Sequence, residues 1–391
     1  MRIGICSPIS LSEFTSYLWK KDALSCVGIQ GLLAPSVDAV VHGLLRSGHY
    51  VVVFTLDLDV PNGGIVLRGE RLTMYVGKYR QSARMRGLTF FHAEIVFLKS
   101  AIAKESLDVI HAHWTYEFAI SALAAKCPVF CTVRDVAEVI FKLNRNGYRF
   151  VRYLMNCWLF QHGERIRFIA NSQYTAEQLK KYHATIDFEV IPNPINFSLP
   201  KVSSKTLHPS IVTISNGWTP RKNIDALIEA FAIAKKRIPS LELMLVGKPF
   251  VRESCFTRFQ NMGIGIDGIR FVGHVPHDRL AATISSAWVM VHPALEESFG
   301  NTLVEAMACS VPVVGGDKSG SVPWVLGYGK GGILCDVTDS VVIANKIIEL
   351  IEDSDLRNEI GARGYAWARK NFAVDVITEQ TLRLYRKALY E

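Results

Sequence analysis

Long apolar runs are missing from this 391-residue chain: no stretch of about 18 residues is free of charge, so nothing reads as a membrane span. The start, Met1-Arg2-Ile3-Gly4-Ile5, lacks the uninterrupted apolar core of a signal peptide and reads as a first β-strand. Paired cysteine motifs are missing as well. Of eight cysteines only Cys127 and Cys131 lie close together, at a spacing that fits no common zinc knuckle. Most sit in apolar runs such as Val129-Phe130-Cys131, so reduced core thiols in a reducing, cytoplasmic compartment are expected. Repeats and low-complexity tracts are absent, and charged residues make up 20% against 49% hydrophobic. A disordered tail, a collagen-like rod and a disulfide-stapled mini-domain are thereby excluded.

What is present suffices for two domains, or three, at about 150 residues each. Tyr50-Val51-Val52-Val53-Phe54 is a continuous apolar run, as in a strand covered on both faces. Before it, Val37, Val40, Val41, Leu44 and Leu45 recur at helical spacing, with Pro35 near the start and Gly48 past the end. Further strands are expected at 108–110, 128–132, 167–170 and 189–191, separated by helical patterns. A turn-rich connector spans 192–210, with Pro192, Pro194, Pro200, Pro209, Ser198, Ser203, Ser204 and Ser210. The alternation then restarts at 211–214, followed by a helix carrying Ile224, Leu227, Ile228 and Phe231, and strands at 241–246, 269–272, 289–291, 311–314 and 333–334. The pattern predicts an α/β protein of two doubly wound parallel-sheet domains facing a central cleft. The expected boundaries are 1–195 and 196–373, with a closing helix at about 374–391, marked by Leu382, Leu384 and Tyr385, packing back on the first domain.

The net charge of +8 sits mainly in the first half, where cations exceed acids by six over residues 1–200. One cluster comprises Arg68, Arg71, Lys78, Arg80, Arg84 and Arg86. The other, residues 141–153, interleaves Lys142, Arg145, Arg149 and Arg152 with Phe141, Tyr148, Phe150 and Tyr153. It reads as peripheral membrane contact or as a solvated helix face. No nucleic-acid recognition motif appears, and nucleic acid is not an expected partner.

The most informative stretch runs from Pro293 to Ala308. A strand ends at His292 and a helix starts near Asn301, so the N–H groups of Phe299, Gly300 and Asn301 are expected to form an anion site. Glu305 follows one turn later, and a carboxylate there suits two adjacent sugar hydroxyls. The alternative is an ordinary strand–loop–helix with a capping acid. Glu297 and Glu305 enclose seven residues, with Phe-Gly inside and Pro312-Val313-Val314 following. This segment resembles the E-x7-E motif of the family 4 retaining glycosyltransferases, which have the GT-B fold. Ser215 to Asn223 resembles the family's phosphate-clamp loop, with Lys222 matching the lysine that holds the donor diphosphate. Trp218 stands where the family has an arginine; Arg221 either supplies that charge or is a solvated surface residue. Ser47-Gly48-His49, Asp108 to Trp114, Asn171-Ser172, Ile191 to Pro194, Phe271 to Val275 and Ser319 to Pro323 resemble further landmarks, so the likeness covers nearly the whole chain.

The resemblance implies a metal-independent, retaining transferase without cofactor, moving sugar from a nucleotide diphosphate sugar to a glycan or lipid-linked acceptor in polysaccharide biosynthesis. It assigns Lys222 and Glu297 to catalysis, and Arg221, Val275, Ser298, Phe299, Gly300, Asn301, Thr302 and Glu305 to donor binding. Gly31, His113 and Arg134 fall on the acceptor and donor-sugar side. Arg134 stands in Thr132-Val133-Arg134-Asp135 where the family has histidine, so proton shuttling is lost while hydrogen bonding survives. A nucleotide-sugar 2-epimerase of the same fold and a catalytically silent sugar-nucleotide-binding subunit are the alternatives. Asp57-Leu58-Asp59 spells a metal–diphosphate signature of another transferase fold, but it lacks the context and is expected to be a surface turn. Gly327 to Gly332 precedes a strand rather than following one and reads as a turn, and Asp317-Lys318-Ser319 lacks P-loop spacing. His111 and His113 are expected to face opposite sides of their strand, which would keep them from sharing a metal.

Overall fold

The computed structural model describes residues 1–26, 28–143, 145–197 and 205–390. Asn144 of the basic stretch, and Ser198, Pro200, Ser203 and Ser204 of the connector, lie outside the described residues. The chain forms two compact units, Met1–Pro194 with Val374–Glu391, and Ile195–Ala373.

The first unit is built on an eight-stranded sheet. Its strands are β1 (Arg2–Cys6), β2 (Tyr50–Asp57), β3 (Ile65–Arg68), β4 (Leu72–Lys78), β5 (Val109–His113), β6 (Val129–Val133), β7 (Ile166–Ala170) and β8 (Phe188–Val190). They lie in the order β3-β4-β2-β1-β5-β6-β7-β8, all pairs parallel except β3–β4. The chain grows outward from β1 on one side and resumes at β5 on the other, which makes the β1/β5 boundary the topological switch point. Residues of β1, β2, β5 and β6 are almost wholly buried on both faces, as the unbroken apolar runs require. The β3–β4 hairpin was not legible in the sequence: the cations Arg68, Arg71 and Lys78 punctuate it, yet β4 is buried from Leu72 to Gly77.

The helix Pro35–Arg46 has proline in its first turn, and Gly48 just past its end takes φ +83°. It packs against the closing helix Val374–Tyr390, and a Cβ on Gly43 would sit 2.0 Å from Thr378 Oγ1. Leu382 and Tyr385 of that closing helix join Val37, Val41 and Leu44 in one core cluster.

The second unit holds a wholly parallel six-stranded sheet. Its strands are β9 (Ser210–Ile214), β10 (Glu242–Val246), β11 (Ile269–Gly273), β12 (Val289–His292), β13 (Val313–Gly316) and β14 (Ile333–Cys335), in the order β11-β10-β9-β12-β13-β14. Its switch point lies between β9 and β12. The loops leaving those two strands carry the Lys222 and Glu297 segments.

Two readings need correction. Asp57 is not on a surface turn. It is 2% exposed at the end of β2, where Oδ2 accepts the Gly31 N–H at 2.8 Å and Oδ1 accepts the Asp59 N–H at 2.6 Å. His111 and His113 share a face of β5, their rings stacked at 4.4 Å, because residues two apart on a strand point the same way.

Candidate active site

In the second unit, β9 runs into a loop that approaches the neighbouring strand's exit closely: a Cβ on Gly247 would lie 1.9 Å from the Ser215 carbonyl oxygen. The 3₁₀ turn Pro220–Lys222 follows, and Asn223 (φ 52°) links it to the helix Ile224–Arg237. Asn223 Nδ2 donates to the carbonyls of Pro293 (3.2 Å) and Val337 (2.7 Å), pinning the loop to the exits of β12 and β14. The Leu295 N–H donates to the Arg221 carbonyl at 2.8 Å. Backbone bonds from both sides therefore bring the two segments together.

That docking places Lys222 Nζ on Glu297 Oε1 in a hydrogen-bonded ion pair. His292 Nε2 lies 3.5 Å from the same oxygen and Arg221 Nη1 3.9 Å away. Burial alone would raise the Glu297 pKa, but His292 and Lys222 overcome it and pull it down to about 2. Arg221 is tied to the neighbouring segment: its Nη1 donates to the Glu296 carbonyl at 2.6 Å. Trp218 turns its ring onto Phe250 and Phe259, and its Nε1 donates to Asp225 Oδ1 at 2.8 Å. Arg258, from the helix Arg252–Met262, covers that ring at 4.6 Å and pairs with Asp225. An arginine from a different element thus lies against this loop.

Gly300 takes φ +85° and caps the helix Asn301–Ala308. Phe299 is 3% exposed and its ring packs edge-on to Phe372, so the ring is not available to a ligand. Ser298 and Thr302 are half-buried and Asn301 is exposed. One turn into the helix, Glu305 is 8% exposed. Its Oε1 lies 3.3 Å from His277 Nε2, and its Oε2 is buried without a hydrogen-bond partner among the described residues. Val275 is half-buried against the core cluster that includes Phe299, Leu303 and Val304. His292 and His277 were not singled out in the sequence, since neither has a motif and each reaches its glutamate only through the fold.

In the first unit, the Gly31 backbone pairs with Ser10 and takes φ +83°. Arg134 is buried, with Nη1 donating to Ser36 Oγ (2.9 Å) and Asn193 Oδ1 (2.5 Å), Nη2 to His113 Nδ1 (3.0 Å), and the Trp114 ring 5.3 Å away. Burial pulls its pKa down to about 9. His111 is saturated by Tyr385 Oη (2.6 Å) and Thr132 Oγ1 (2.7 Å). Among the described residues no group of three or more His, Cys, Asp or Glu side chains is placed to hold a metal ion.

The basic-aromatic stretch divides between inside and outside. Arg152 turns inward over the Tyr116 ring at 3.7 Å, with Glu117 3.5 Å away, so it is no part of an exposed patch. Leu143, Phe150, Leu154 and Trp158 are exposed, the last three spaced by four along the helix Gly147–His162. No helix of the described residues is long and apolar enough to cross a membrane.

Two family profiles match this chain: Glycosyltransferase Family 4 over residues 34–199, and Glycosyl transferases group 1 over residues 198–367. Among curated proteins, the O-antigen chain mannosyltransferase B of Escherichia coli is 32% identical over 171 residues, 43% of this chain and 43% of that protein. The chain spans less than half the length of the curated relatives it first matches. Among solved structures, the sucrose-phosphate synthase of Thermosynechococcus elongatus aligns with TM-score 0.73 at 19% identity, over 99% of this chain and 98% of that one. HepE of Anabaena, solved with UDP-glucose, aligns with TM-score 0.67 at 18% identity over 99% and 100%.

Proposed function

This chain belongs to the family 4 glycosyltransferases of the GT-B fold, and from that premise we propose that it moves a sugar from a nucleotide diphosphate sugar to a glycan or lipid-linked acceptor in cell-surface polysaccharide assembly. The reading rests above all on one arrangement: Lys222 ion-paired to Glu297, with Glu305 Oε2 buried and unpartnered on the helix that begins at Asn301. Lys222 leaves Glu297 for the diphosphate, where its point charge stabilises the departing nucleotide together with the amides of Phe299, Gly300 and Asn301. Glu305 accepts the ribose hydroxyls through the oxygen that has no partner. Glu297, with His292 Nε2 3.5 Å from its Oε1, contacts the donor sugar.

The transfer retains anomeric configuration and needs no metal. The acceptor hydroxyl attacks on the face the diphosphate leaves, a glycosidic bond forms as the anomeric carbon–phosphate-oxygen bond breaks, and the hydroxyl proton passes to the departing phosphate. A GDP-mannose-dependent mannosyltransferase of Mycolicibacterium smegmatis, 30% identical over 171 residues, and the UDP-glucose bound to HepE make UDP- and GDP-sugars the first donors to try. Leu143, Phe150, Leu154 and Trp158, beside Lys142 and Arg145, support peripheral docking at the cytoplasmic membrane face.

A thermal-shift panel of UDP-, GDP- and ADP-sugars tests the donor assignment, since ligand at 100 times Kd adds about 2.7 kcal/mol. Stabilisation by none of them refutes it. Incubating the responsive donor without acceptor and observing a new sugar epimer by NMR favours epimerisation instead. Activity abolished by EDTA and restored by manganese refutes metal independence.

A further inference from the structure

The switch point of the first sheet holds a buried cation without an anion. Arg134 leaves the end of β6, and its partners come from the helix after β1 (Ser36), the end of β5 (His113) and the segment after β8 (Asn193). All are neutral acceptors. Among the described residues Arg134 forms no ion pair, although it is only 7% exposed. Asp38 is the carboxylate whose field reaches it, and Asp38 already accepts the Ser10 N–H at 2.9 Å and the Ser10 hydroxyl at 2.6 Å.

Two N–H donors in this cluster are unsatisfied. Arg134 Nε is buried without a hydrogen-bond partner. His113 Nδ1 accepts from Arg134, so the neutral ring carries its proton on Nε2, and that atom is likewise buried without a partner. Burial, stacked His111 and Arg134 all disfavour the charged imidazole, which keeps His113 in this form. A buried charge without a counter-ion and orphaned buried donors each cost folding free energy unless a ligand satisfies them. Ser36 lies in the first turn of a 12-residue helix whose amides and dipole favour negative charge at the same place. Trp114, against the guanidinium, is held at φ 67°, an uncommon conformation for a bulky residue.

We propose that Arg134 and His113, with the start of the Pro35 helix, bind a substrate oxyanion: a carboxylate or phosphoryl group carried by one of the two sugars. This rests on the transferase reading above and adds a charge class to it. A hexuronate donor and a phosphorylated acceptor are the two sources of that chemistry.

Calorimetry on the full chain distinguishes them. In the donor arm, UDP-glucuronate should bind at least about tenfold more tightly than UDP-glucose, and Arg134→Gln should bring the ratio to near one. In the acceptor arm, inorganic phosphate should bind protein already saturated with UDP, and Arg134→Gln should weaken it by about tenfold. An effect in either arm supports the site and names its source; no effect in either overturns it. Ser36→Asp provides the independent variant should Arg134→Gln misfold. By placing an internal carboxylate beside the guanidinium, it should raise the melting temperature and abolish the same anion discrimination; undiminished discrimination overturns the proposal. If UDP fails to bind at all, the transferase reading fails, while phosphate alone still reports on Arg134.

Discussion

Lys222 and Glu297 are each other's partner in the unliganded site, and this makes opposite predictions for their removal. On the proposed function, a donor diphosphate would have to draw Lys222 away from a carboxylate kept ionised by His292 and Lys222. A charge-assisted hydrogen bond of this kind contributes about 1.5–3 kcal/mol. Glu297→Gln frees the ammonium of that competitor, so UDP should bind about tenfold more tightly, a change of about 1.4 kcal/mol. The same variant loses the sugar contact, and kcat should fall. Lys222→Ala should weaken UDP and lower kcat by about 10²–10³. It should still fold, because His292 at 3.5 Å and Arg221 at 3.9 Å remain on Glu297. A loss of about 1 kcal/mol would shift the melting temperature by about 2–4 °C for a unit of this size. Calorimetry with UDP and single-turnover transfer measure the two terms, and the double variant should be non-additive. If Glu297→Gln left UDP affinity unchanged or weaker, competition for Lys222 would be wrong. If Lys222→Ala altered only KM, the leaving-group role would be withdrawn.

Glu305→Ala should weaken UDP by about 10- to 100-fold, the loss of a charged acceptor, while leaving 2′,3′-dideoxy-UDP affinity unchanged; equal losses for both nucleotides would refute the ribose assignment. Burial lowers His42 to about 4 and His111 to about 3, so their neutral forms contribute stability that is full above the unfolded pKa of 6.5 and is lost as pH falls towards those values. The melting temperature should therefore drop between pH 6.5 and 4, and His42→Phe, which keeps the ring on Phe14 (4.6 Å), should flatten that drop; an unchanged slope would sink the assignment. Gly31→Ala should destabilise the first unit by more than about 1 kcal/mol, since its Cβ would meet the Ile9 carbonyl oxygen at 2.0 Å at φ +83°. Gly28→Ala, also at positive φ but in open space, should cost less in the same denaturant titration, and the reverse order would refute the steric argument.

The sequence by itself determined the parallel α/β class. Runs such as Tyr50–Phe54 and Val289–Val291 can be satisfied only where helices cover both faces of a sheet, and that demand is local and periodic. It also marked the segments around Lys222 and Glu297, because a strand, a glycine-bearing loop and a helix start are contiguous in the chain. It did not disclose the β3–β4 hairpin, where edge cations break the apolar run, nor the burial of Asp57, which accepts the Gly31 N–H from across the fold, nor the inward turn of Arg152 over the Tyr116 ring. Tertiary structure alone decided that His292 backs Glu297, that Arg258 covers Trp218, and that Arg134 meets Ser36, His113 and Asn193. The physical reason is the same in each case. Periodicity reports which face of an element is apolar, whereas the pairing of polar groups at strand ends depends on sheet order, which joins residues distant in sequence.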